Sequence, residues 1–372
     1  MKKMLFWAAL SCVALSSCES EDLTVVNQPQ VMRFDAPAMK TRANVLGEIS
    51  GVKYPEAEDF KVYCKAYKDN FVGWTNSEEI TNYFADNGEV AKNGHSVGAT
   101  KYWATDVVHY WPEVEYSLAF AAYSPAVFGP AAASATVSHT AAGLQINDFQ
   151  TEANSNNQYD LMYSNRQYDL NKASNANQAV PLVFNHALSS IVFSSQKSSS
   201  DVNYVITDLE VNGLFCQKAD FNQNITESVV GSTYTETENA LWENKVVAGS
   251  NVKYEPDFSE FSVPVDAPAQ FTSGASALLL IPQEVPAEAT VTVYYKKITN
   301  PGLPSEKELS TSATIKLRDF TYLEGGLIKQ ITEWEMGNRY IYRIAFGENT
   351  RIYFEPSVND WVTHPTLIYT IK

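Results

Sequence analysis

Cysteine and histidine, on which many metal and nucleophile sites depend, are scarce in this chain. There are 4 cysteines and 5 histidines among 372 residues, and no two histidines have the spacing of metal ligands. The motifs C-x-x-C, H-E-x-x-H and G-x-S-x-G are absent, as are Walker-type and EF-hand loops. Acidic residues are numerous but scattered, so they indicate no acid–base pair. We therefore expect neither an enzyme nor a bound metal or cofactor.

Positive charge is also in short supply. The chain has 27 lysines and arginines against 43 aspartates and glutamates, which gives a net charge of −16. This balance disfavours binding to nucleic-acid phosphates or to anionic lipid headgroups through bulk charge. Beyond the N-terminal region, no hydrophobic run is long enough for a transmembrane helix. A covalent lipid would therefore have to hold the protein at a membrane.

The first residues have the organisation of an export signal. Lys2 and Lys3 form a short basic region, and residues 4–15 form an apolar stretch too short for a permanent membrane span. The following L-S-S-C resembles a bacterial lipobox, which implies a signal peptide at 1–17, a lipidated Cys18 and a linker at 18–30. The acidic run E-S-E-D after Cys18 resembles the signal that sends lipoproteins to the outer face of the outer membrane. A plain secretory signal with a solvated tether is the alternative.

Much of the remaining chain alternates apolar and polar residues with the period of a β-strand. Short strands with frequent turns predict an all-β protein of two β-sandwich domains, at residues 31–175 and 176–372. A helix is predicted at Ser77–Ala85, a surface loop at Ala131–Gly143 and an interdomain linker at Ser164–Ala179. Strands are predicted at 31–39, 60–67, 114–122, 180–193, 202–211, 277–281, 290–297, 312–318, 339–346 and 351–355, with a bend near His186.

The stretch from Trp334 to Trp361 carries the most specific pattern in the chain. Two strand patterns are joined by a hairpin-type loop at 347–350, and a tryptophan stands at each end. The spacing W-x-x-G-x-x-Y-x-Y, followed by I-x-F-x-P-x-V-x-x-W, resembles the C-terminal signature of the fimbrillin family, the lipoprotein pilins of Bacteroidetes. The matching positions are Trp334, Gly337, Tyr340, Tyr342, Ile352, Phe354, Pro356, Val358 and Trp361. Residues 111–125, 159–163 and 181–193 are also similar to the family.

This resemblance implies sandwiches of transthyretin-like Greek-key type and a structural subunit of an adhesive cell-surface fimbria. In the family, an arginine-specific protease cuts after the first strand, and the C-terminal segment of the next subunit fills the groove that opens. By resemblance, the bond Arg42-Ala43 is cut here, the strand at 31–39 leaves, and the tail at 362–372 donates Leu367, Tyr369 and Ile371. Such strand addition satisfies unpaired backbone groups and fills apolar sockets. The implied partners are other fimbrial subunits, the protease, the outer membrane through lipid, and a host or bacterial surface ligand.

Several alternatives are compatible with the same residues. Arg42 also fits an ordinary loop arginine, and the tail also fits a strand that pairs within its own domain. A fimbrial anchor would keep the lipidated leader, whereas a stalk or tip subunit would lose it. The 21 tyrosines and 7 tryptophans would suit a monomeric surface protein that binds glycan or peptide, although their alternating positions favour cores. Cys64 alternates with Phe60 and Val62 as a buried residue would, and a disulfide to Cys216 is a second option.

Overall fold

The computed structural model describes residues 30–35, 41–42, 50–51, 54–68, 71–97, 100–113, 115–175, 178–265, 267–324, 327–347, 362–363 and 367–371. For the ranges 41–42, 50–51, 362–363 and 367–371 the description concerns the backbone. Strands make up nearly all of the regular structure, which confirms the predicted all-β class. Within the described ranges, no helix is both long and apolar enough to cross a membrane.

The first half of the chain, up to His186, contains fourteen short strands. They are β1 Phe34–Asp35, β2 Thr41–Arg42, β3 Ser50–Gly51, β4 Phe60–Lys68, β5 Glu79–Asn82, β6 Glu89–Val97, β7 Thr100–Thr105, β8 Tyr116–Ser124, β9 Thr136–Thr140, β10 Gly143–Gln150, β11 Met162–Ser164, β12 Gln167–Leu170, β13 Val180–Pro181 and β14 Phe184–His186. Helical turns are confined to α1 at Lys172–Asn175 and to 3-10 turns at Pro130–Ala132 and Ser155–Asn157 in the described part of this half.

The second half begins with a longer strand and continues to the C-terminal tail. Its strands are β15 Ser189–Lys197, β16 Val202–Gly213, β17 Cys216–Asn222, β18 Ile225–Val230, β19 Thr233–Glu238, β20 Leu241–Val247, β21 Val252–Tyr254, β22 Phe261–Ser262, β23 Ala269–Gln270, β24 Leu278–Leu280, β25 Gln283–Glu284, β26 Thr290–Thr299, β27 Lys307–Lys316, β28 Thr321–Glu324, β29 Leu327–Gln330, β30 Glu333–Trp334, β31 Asn338–Phe346, β32 Val362–Thr363 and β33 Leu367–Ile371. Two 3-10 turns, Gly274–Ser276 and Leu317–Asp319, interrupt them.

A ten-stranded sheet forms most of the first half and curls on itself. Its strands follow the order β13-β1-β7-β6-β4-β8-β11-β14, with β5 added to β4 and β12 to β8. Because residues 182–183 alone separate β13 from β14, the two edges of this sheet lie close together. The sheet surrounds a cluster of buried apolar side chains, named here the first core. It comprises Met32, Phe34, Tyr54, Phe60, Val62, Cys64, Ala66, Phe84, Ala91, Trp103, Trp111, Leu118, Phe120, Ala122, Met162, Val180, Leu182 and Phe184.

A four-stranded sheet, in the order β20-β17-β10-β9, covers the other face of β4, β8 and β11. Successive side chains of a strand point to opposite faces, so Tyr63 and Tyr123 turn away from the first core. They join Ile146 and Phe221 of the covering sheet in a separate buried cluster. Strands β9 and β10 come from the first half and β17 and β20 from the second, so the two halves share this sheet.

Two sheets form the sandwich of the second half. One has the order β23-β15-β31-β33-β28-β29, with β24 added to β15 and β32 to β31, and the other has the order β21-β16-β26-β27, with β22 added to β16. Buried residues recur at alternate positions along much of β16 and β26, as the period of a half-buried strand requires. Leu209 and Val293 from this sheet share one core with Phe193 and Tyr342 from the other.

Three local predictions are wrong. Strand β5 replaces the helix predicted at Ser77–Ala85, because β4 pairs with β6 only over Phe60–Val62 and leaves its second half free for another strand. The loop predicted at Ala131–Gly143 contains β9, whose small and polar residues conceal a strand that pairs with β10. The linker predicted at Ser164–Ala179 contains α1 and β12, and β12 pairs with β8.

The sheets also divide at a different point from the boundary predicted at 175/176. Strands β13 and β14, expected to open the second domain, belong to the first sheet, and the chain enters the second sandwich at β15. The bend predicted near His186 coincides with this crossing, since β14 ends there and β15 begins at Ser189. The apolar run spans the crossing, so a single sequence pattern supplies Leu182 to the first core and Phe193 to the second.

Other predicted strands agree with the structure. Those at 60–67, 202–211, 277–281, 290–297 and 339–346 correspond to β4, β16, β24, β26 and β31, and those at 114–122 and 312–318 overlap β8 and β27. The predicted strand at 351–355 and residues 36–39 of the first strand lie outside the described residues. The transthyretin-like Greek-key type stays a prediction.

Candidate functional site

The first strand of the chain is inserted between two other strands. Phe34 pairs with Trp103 of β7 in antiparallel register and with Val180 of β13 in parallel register. Just before it, the Met32 N–H donates to the His109 carbonyl at 2.9 Å. The first strand is therefore an interior member of the ten-stranded sheet.

Backbone hydrogen bonds tie the same strand to β13. The Val180 N–H donates to the Arg33 carbonyl at 2.8 Å. The Leu182 N–H donates to the Asp35 carbonyl, also at 2.8 Å. The Arg33 guanidinium lies over the Tyr102 ring at 5.5 Å from its centroid. If the strand were removed, buried amides of the neighbouring strands would lose their acceptors, at a cost of about 1–3 kcal/mol each.

Side chains of the first strand fill part of the first core. Met32 is 3% exposed and Phe34 is 0% exposed. The Phe34 ring meets the rings of Phe60, Phe84 and Phe120 edge-on, at centroid distances of 6.2, 6.2 and 5.8 Å. Removal of the strand would leave an apolar slot lined by these three rings and bordered by unpaired backbone groups on both sides.

Arg42, the predicted cleavage position, lies in a separate small element. Its backbone pairs with that of Ser50 in the two-stranded β2–β3 sheet, which belongs to none of the large sheets. Ala43, on the other side of the predicted scissile bond, and Cys18, the predicted lipid attachment site, lie outside the described residues.

The C-terminal tail forms a strand inside the second sandwich. The β33 backbone runs parallel to β31 over the whole of Leu367–Ile371, and it pairs with β28 in antiparallel register on its other side. Strand β32 pairs in parallel with the beginning of β31. The predicted donor residues Leu367, Tyr369 and Ile371 thus occupy alternate positions of an interior strand.

The aromatic residues of the C-terminal signature anchor the second core. Trp334 is fully buried, its Nε1–H donates to Tyr342 Oη at 3.0 Å, and its indole stacks on Phe215 at 5.7 Å. The Glu335 N–H donates to Tyr340 Oη at 2.7 Å, and burial raises the pKa of Tyr340 to about 12. The interpretation of the signature tryptophans as core anchors is confirmed for Trp334, and the second tryptophan lies outside the described residues.

The backbone conformation explains why glycine occupies position 337 of the signature. Gly337 adopts a φ of +71°, a left-handed conformation that glycine reaches without steric cost. Its N–H donates to the Leu188 carbonyl at 2.9 Å, at the point where the chain crosses from the first half to the second. The signature therefore fixes the β30–β31 turn against the junction of the two halves.

The histidines and cysteines of the described residues lie in structural surroundings. Among the described residues, no group of three or more histidine, cysteine, aspartate or glutamate side chains could hold a metal ion. The His186 Nδ1 lies 2.9 Å from the buried Asp160 carboxylate, which suits a structural pair. Cys64 and Cys216 are free, buried and in different clusters, and burial raises the pKa of both thiols. The prediction that Cys64 acts as a small buried residue is confirmed.

Comparison with known proteins identifies the family. A family model described as fimbrillin-like matches residues 66–361. The chain belongs to the fimbrillin-like family. The first strand with Arg42, and the tail at 362–372, lie on either side of the matched residues.

The chain is also similar to solved structures of Bacteroides proteins. A fimbrial protein of Bacteroides vulgatus is 16% identical, with a TM-score of 0.47 over 77% of this chain and 88% of its own. A candidate cell adhesion protein of Bacteroides uniformis is 12% identical, with a TM-score of 0.45 over 87% of this chain and 94% of its own. No curated protein matches this sequence.

The sequence-based prediction located the first strand but missed its neighbours. Val180 and Leu182 were assigned to the second domain, yet they supply one wall of the slot around the first strand. The available signal was the apolar run that begins at Val180. It predicts a strand, but it does not indicate which sheet the strand joins.

Proposed function

We propose that this protein is a structural subunit of a cell-surface fimbria, a stalk or tip pilin that serves adhesion. Family membership supports the fimbrial role. In this proposal the chain is exported as a lipoprotein through Cys18 and reaches the outer membrane as a precursor. An arginine-specific protease then cuts between Arg42 and Ala43, and the subunits polymerise by strand exchange.

The observation that carries this proposal is the interior position of the first strand. Loss of an edge strand would unpair one neighbour, whereas loss of this strand unpairs β7 on one side and β13 on the other. It also vacates the sites of Met32 and Phe34 in the first core. An extended donor with apolar residues at alternate positions would restore both the hydrogen bonds and the packing.

The tail has the alternation that such a donor needs, with Leu367, Tyr369 and Ile371 at every second position. To reach a neighbouring subunit, β33 must leave its place between β31 and β28. The proposal therefore couples the opening of an acceptor slot in one subunit with the release of a strand from another.

Limited proteolysis of the purified precursor tests the cleavage step. An arginine-specific protease should cut once after Arg42 and produce SDS-resistant ladders. Arg42→Ala should abolish both the cut and the ladders. Arg33→Ala is the matched control and should change neither, because the Arg33 carbonyl is held in the sheet by its hydrogen bond from Val180. If the folded wild-type precursor resists proteolysis at Arg42, the assignment as a stalk or tip subunit is wrong and an anchor subunit is favoured.

Substitution in the tail tests the donor step. Tyr369→Asp should leave the cut after Arg42 intact but prevent ladders, because a charged side chain cannot enter an apolar socket without a partner. Thr370→Asp, at the alternate position, is the control and should still allow ladders. Ladders of wild-type yield from Tyr369→Asp would show that another segment is the donor.

A further inference from the structure

The end of the second sandwich that lies away from the first half holds a buried lysine. Strand β15 starts beside the crossing and ends at Lys197, about 26 Å further on at roughly 3.3 Å per residue. The start of β16 and the end of β26 meet at the same end, where Val202 pairs with Thr299. Lys197 is 6% exposed there.

The ammonium group of Lys197 has neutral partners and a spare donor. Its Nζ donates to the Val202 carbonyl at 3.1 Å and to Asn203 Oδ1 at 2.5 Å. An ammonium carries three N–H donors, so one is left without an acceptor among the described residues. No carboxylate in the described part of the chain forms an ion pair with it, and burial lowers the pKa of Lys197. A lowered pKa is expected of a buried cation that lacks a counter-charge.

An open groove of about 550 Å³ lies beside this ammonium. Such a volume falls within the range of about 300–1,000 Å³ typical of small-molecule sites. The residues that line it include Asn203 and Ser262, which are polar, and Val205 and Ile298, which are apolar. The groove thus offers hydrogen-bonding groups, apolar surface and a positive charge that has no ion-pair partner among the described residues.

The two hydrogen bonds of Lys197 go to neutral acceptors, so its charge has no opposite charge beside it in the described part of the chain. A buried charge without an opposite charge destabilises a protein, and an apolar side chain of similar length would avoid that penalty. Residues that break a local rule in this way tend to belong to functional sites.

We propose that this groove binds an acidic sugar unit whose carboxylate accepts the third N–H of Lys197. The carboxylate would supply the missing negative charge, and the sugar hydroxyls would pair with Asn203 and Ser262. The C–H face of the ring would lie on Val205 and Ile298. An acidic amino-acid side chain offers the same carboxylate but has no hydroxyl groups for the polar part of the lining.

Isothermal titration calorimetry on the uncleaved protein tests this assignment without requiring polymerisation. D-Glucuronate should bind. Neutral D-glucose and the acidic N-acetyl-L-glutamate should each bind with an affinity that is lower by about tenfold or more. Lys197→Met should weaken glucuronate binding by about tenfold or more, because it removes one charge-assisted hydrogen bond. Lys296→Met is the matched control and should keep the affinity, because Lys296 already pairs with Glu260 at 2.9 Å.

Thermal unfolding of the same variants separates binding from folding. Lys197→Met should melt at the wild-type temperature or above it, since it removes a buried charge. If that variant does not fold, the Lys197 ¹³Cε resonance of the wild-type protein replaces it and should shift with glucuronate but not with glucose. The proposal is overturned if glucose binds as tightly as glucuronate, or if N-acetylglutamate does. It is also overturned if folded Lys197→Met keeps wild-type affinity, or if none of the three compounds binds.

Discussion

Replacement of Phe34 by alanine separates the role of the first strand before cleavage from its role afterwards. The Phe34 side chain is completely buried, and its ring lies 5.8 to 6.2 Å from three other phenylalanine rings. Phenylalanine-to-alanine substitutions in cores cost about 3–5 kcal/mol, through lost burial and the cavity that remains. We expect a loss of about 4 kcal/mol in the free energy of unfolding of the precursor's first half.

Urea titration followed by tryptophan fluorescence measures this loss. Trp103 and Trp111 lie in the same core as Phe34, so their emission reports the unfolding of the first half. With an m value of about 2 kcal/mol per M, a loss of about 4 kcal/mol lowers the urea midpoint by about 2 M.

The same substitution should leave the mature polymer unchanged. Under the proposed mechanism, residue 34 departs with the segment cut off at Arg42, so wild-type and Phe34→Ala subunits become identical. Phe120→Ala is the matched control, because Phe120 belongs to the same core but stays in the mature chain. It should weaken both the precursor in urea and the SDS-resistant polymer on heating.

Two results would refute this reasoning. A Phe34→Ala precursor as stable as the wild type would mean that the first strand is not packed in the core in solution. A mature Phe34→Ala polymer that dissociates at a lower temperature than the wild-type polymer would mean that the strand stays in the fibre, and that strand exchange is not the mode of assembly.

Two further predictions concern buried side chains of the first half that are charged or titratable, Arg166 and His139. Arg166→Met should lower the free energy of unfolding by about 3–5 kcal/mol in urea, because it breaks a buried ion pair and leaves the Glu236 carboxylate without its counter-charge. Burial lowers the pKa of His139 below its ordinary value of 6.5, and the charges of Arg166 and Lys65 act in the same direction. Below about pH 6.5 the unfolded state therefore binds more protons than the folded state does. The free energy of unfolding should fall as the pH drops through about 6.5. The melting temperature of His139→Phe, followed against pH, should lack that part of the decline.

Sequence periodicity predicted strands that bury one face, such as β16 and β26, and also strands rich in apolar residues that bury both faces, such as β4 and β8. Strands β16 and β26 pair with each other along most of their length, and burial alternates along much of both. Strands β5, β9 and β12 were missed because they are only four or five residues long and each carries at most two large apolar side chains. Tertiary neighbours decided their conformation, since the pairing edges of β4, β10 and β8 were free to accept them.

The candidate site could be predicted only in part, for a different reason. The alternation of residues 31–39 and the family resemblance indicated a first strand, but its neighbours β7 and β13 are distant in sequence. Residues 215–264 gave no recognisable pattern, yet they contain the β18–β19 hairpin, where Glu227 accepts a hydrogen bond from the Trp74 N–H at 2.8 Å. Such long-range pairings depend on how whole layers pack, which local periodicity does not encode.

The two slots between which the proposed exchange occurs are alike in their backbone pairing. The first strand has a parallel neighbour in β13 and an antiparallel neighbour in β7. The tail strand β33 likewise has a parallel neighbour in β31 and an antiparallel neighbour in β28. A tail that moves from its own slot to a vacated first-strand slot therefore exchanges one set of backbone hydrogen bonds for a similar set. Side-chain burial and effective concentration must then decide which of the two slots the tail occupies.

Before cleavage, the first strand is tethered to its own slot and competes at a high effective concentration. In the proposed mechanism, cleavage would let the released strand diffuse away and leave the ring-lined site of Phe34 open. Proteolysis at Arg42 would thus act as the switch, because it removes the intramolecular competitor without changing either slot.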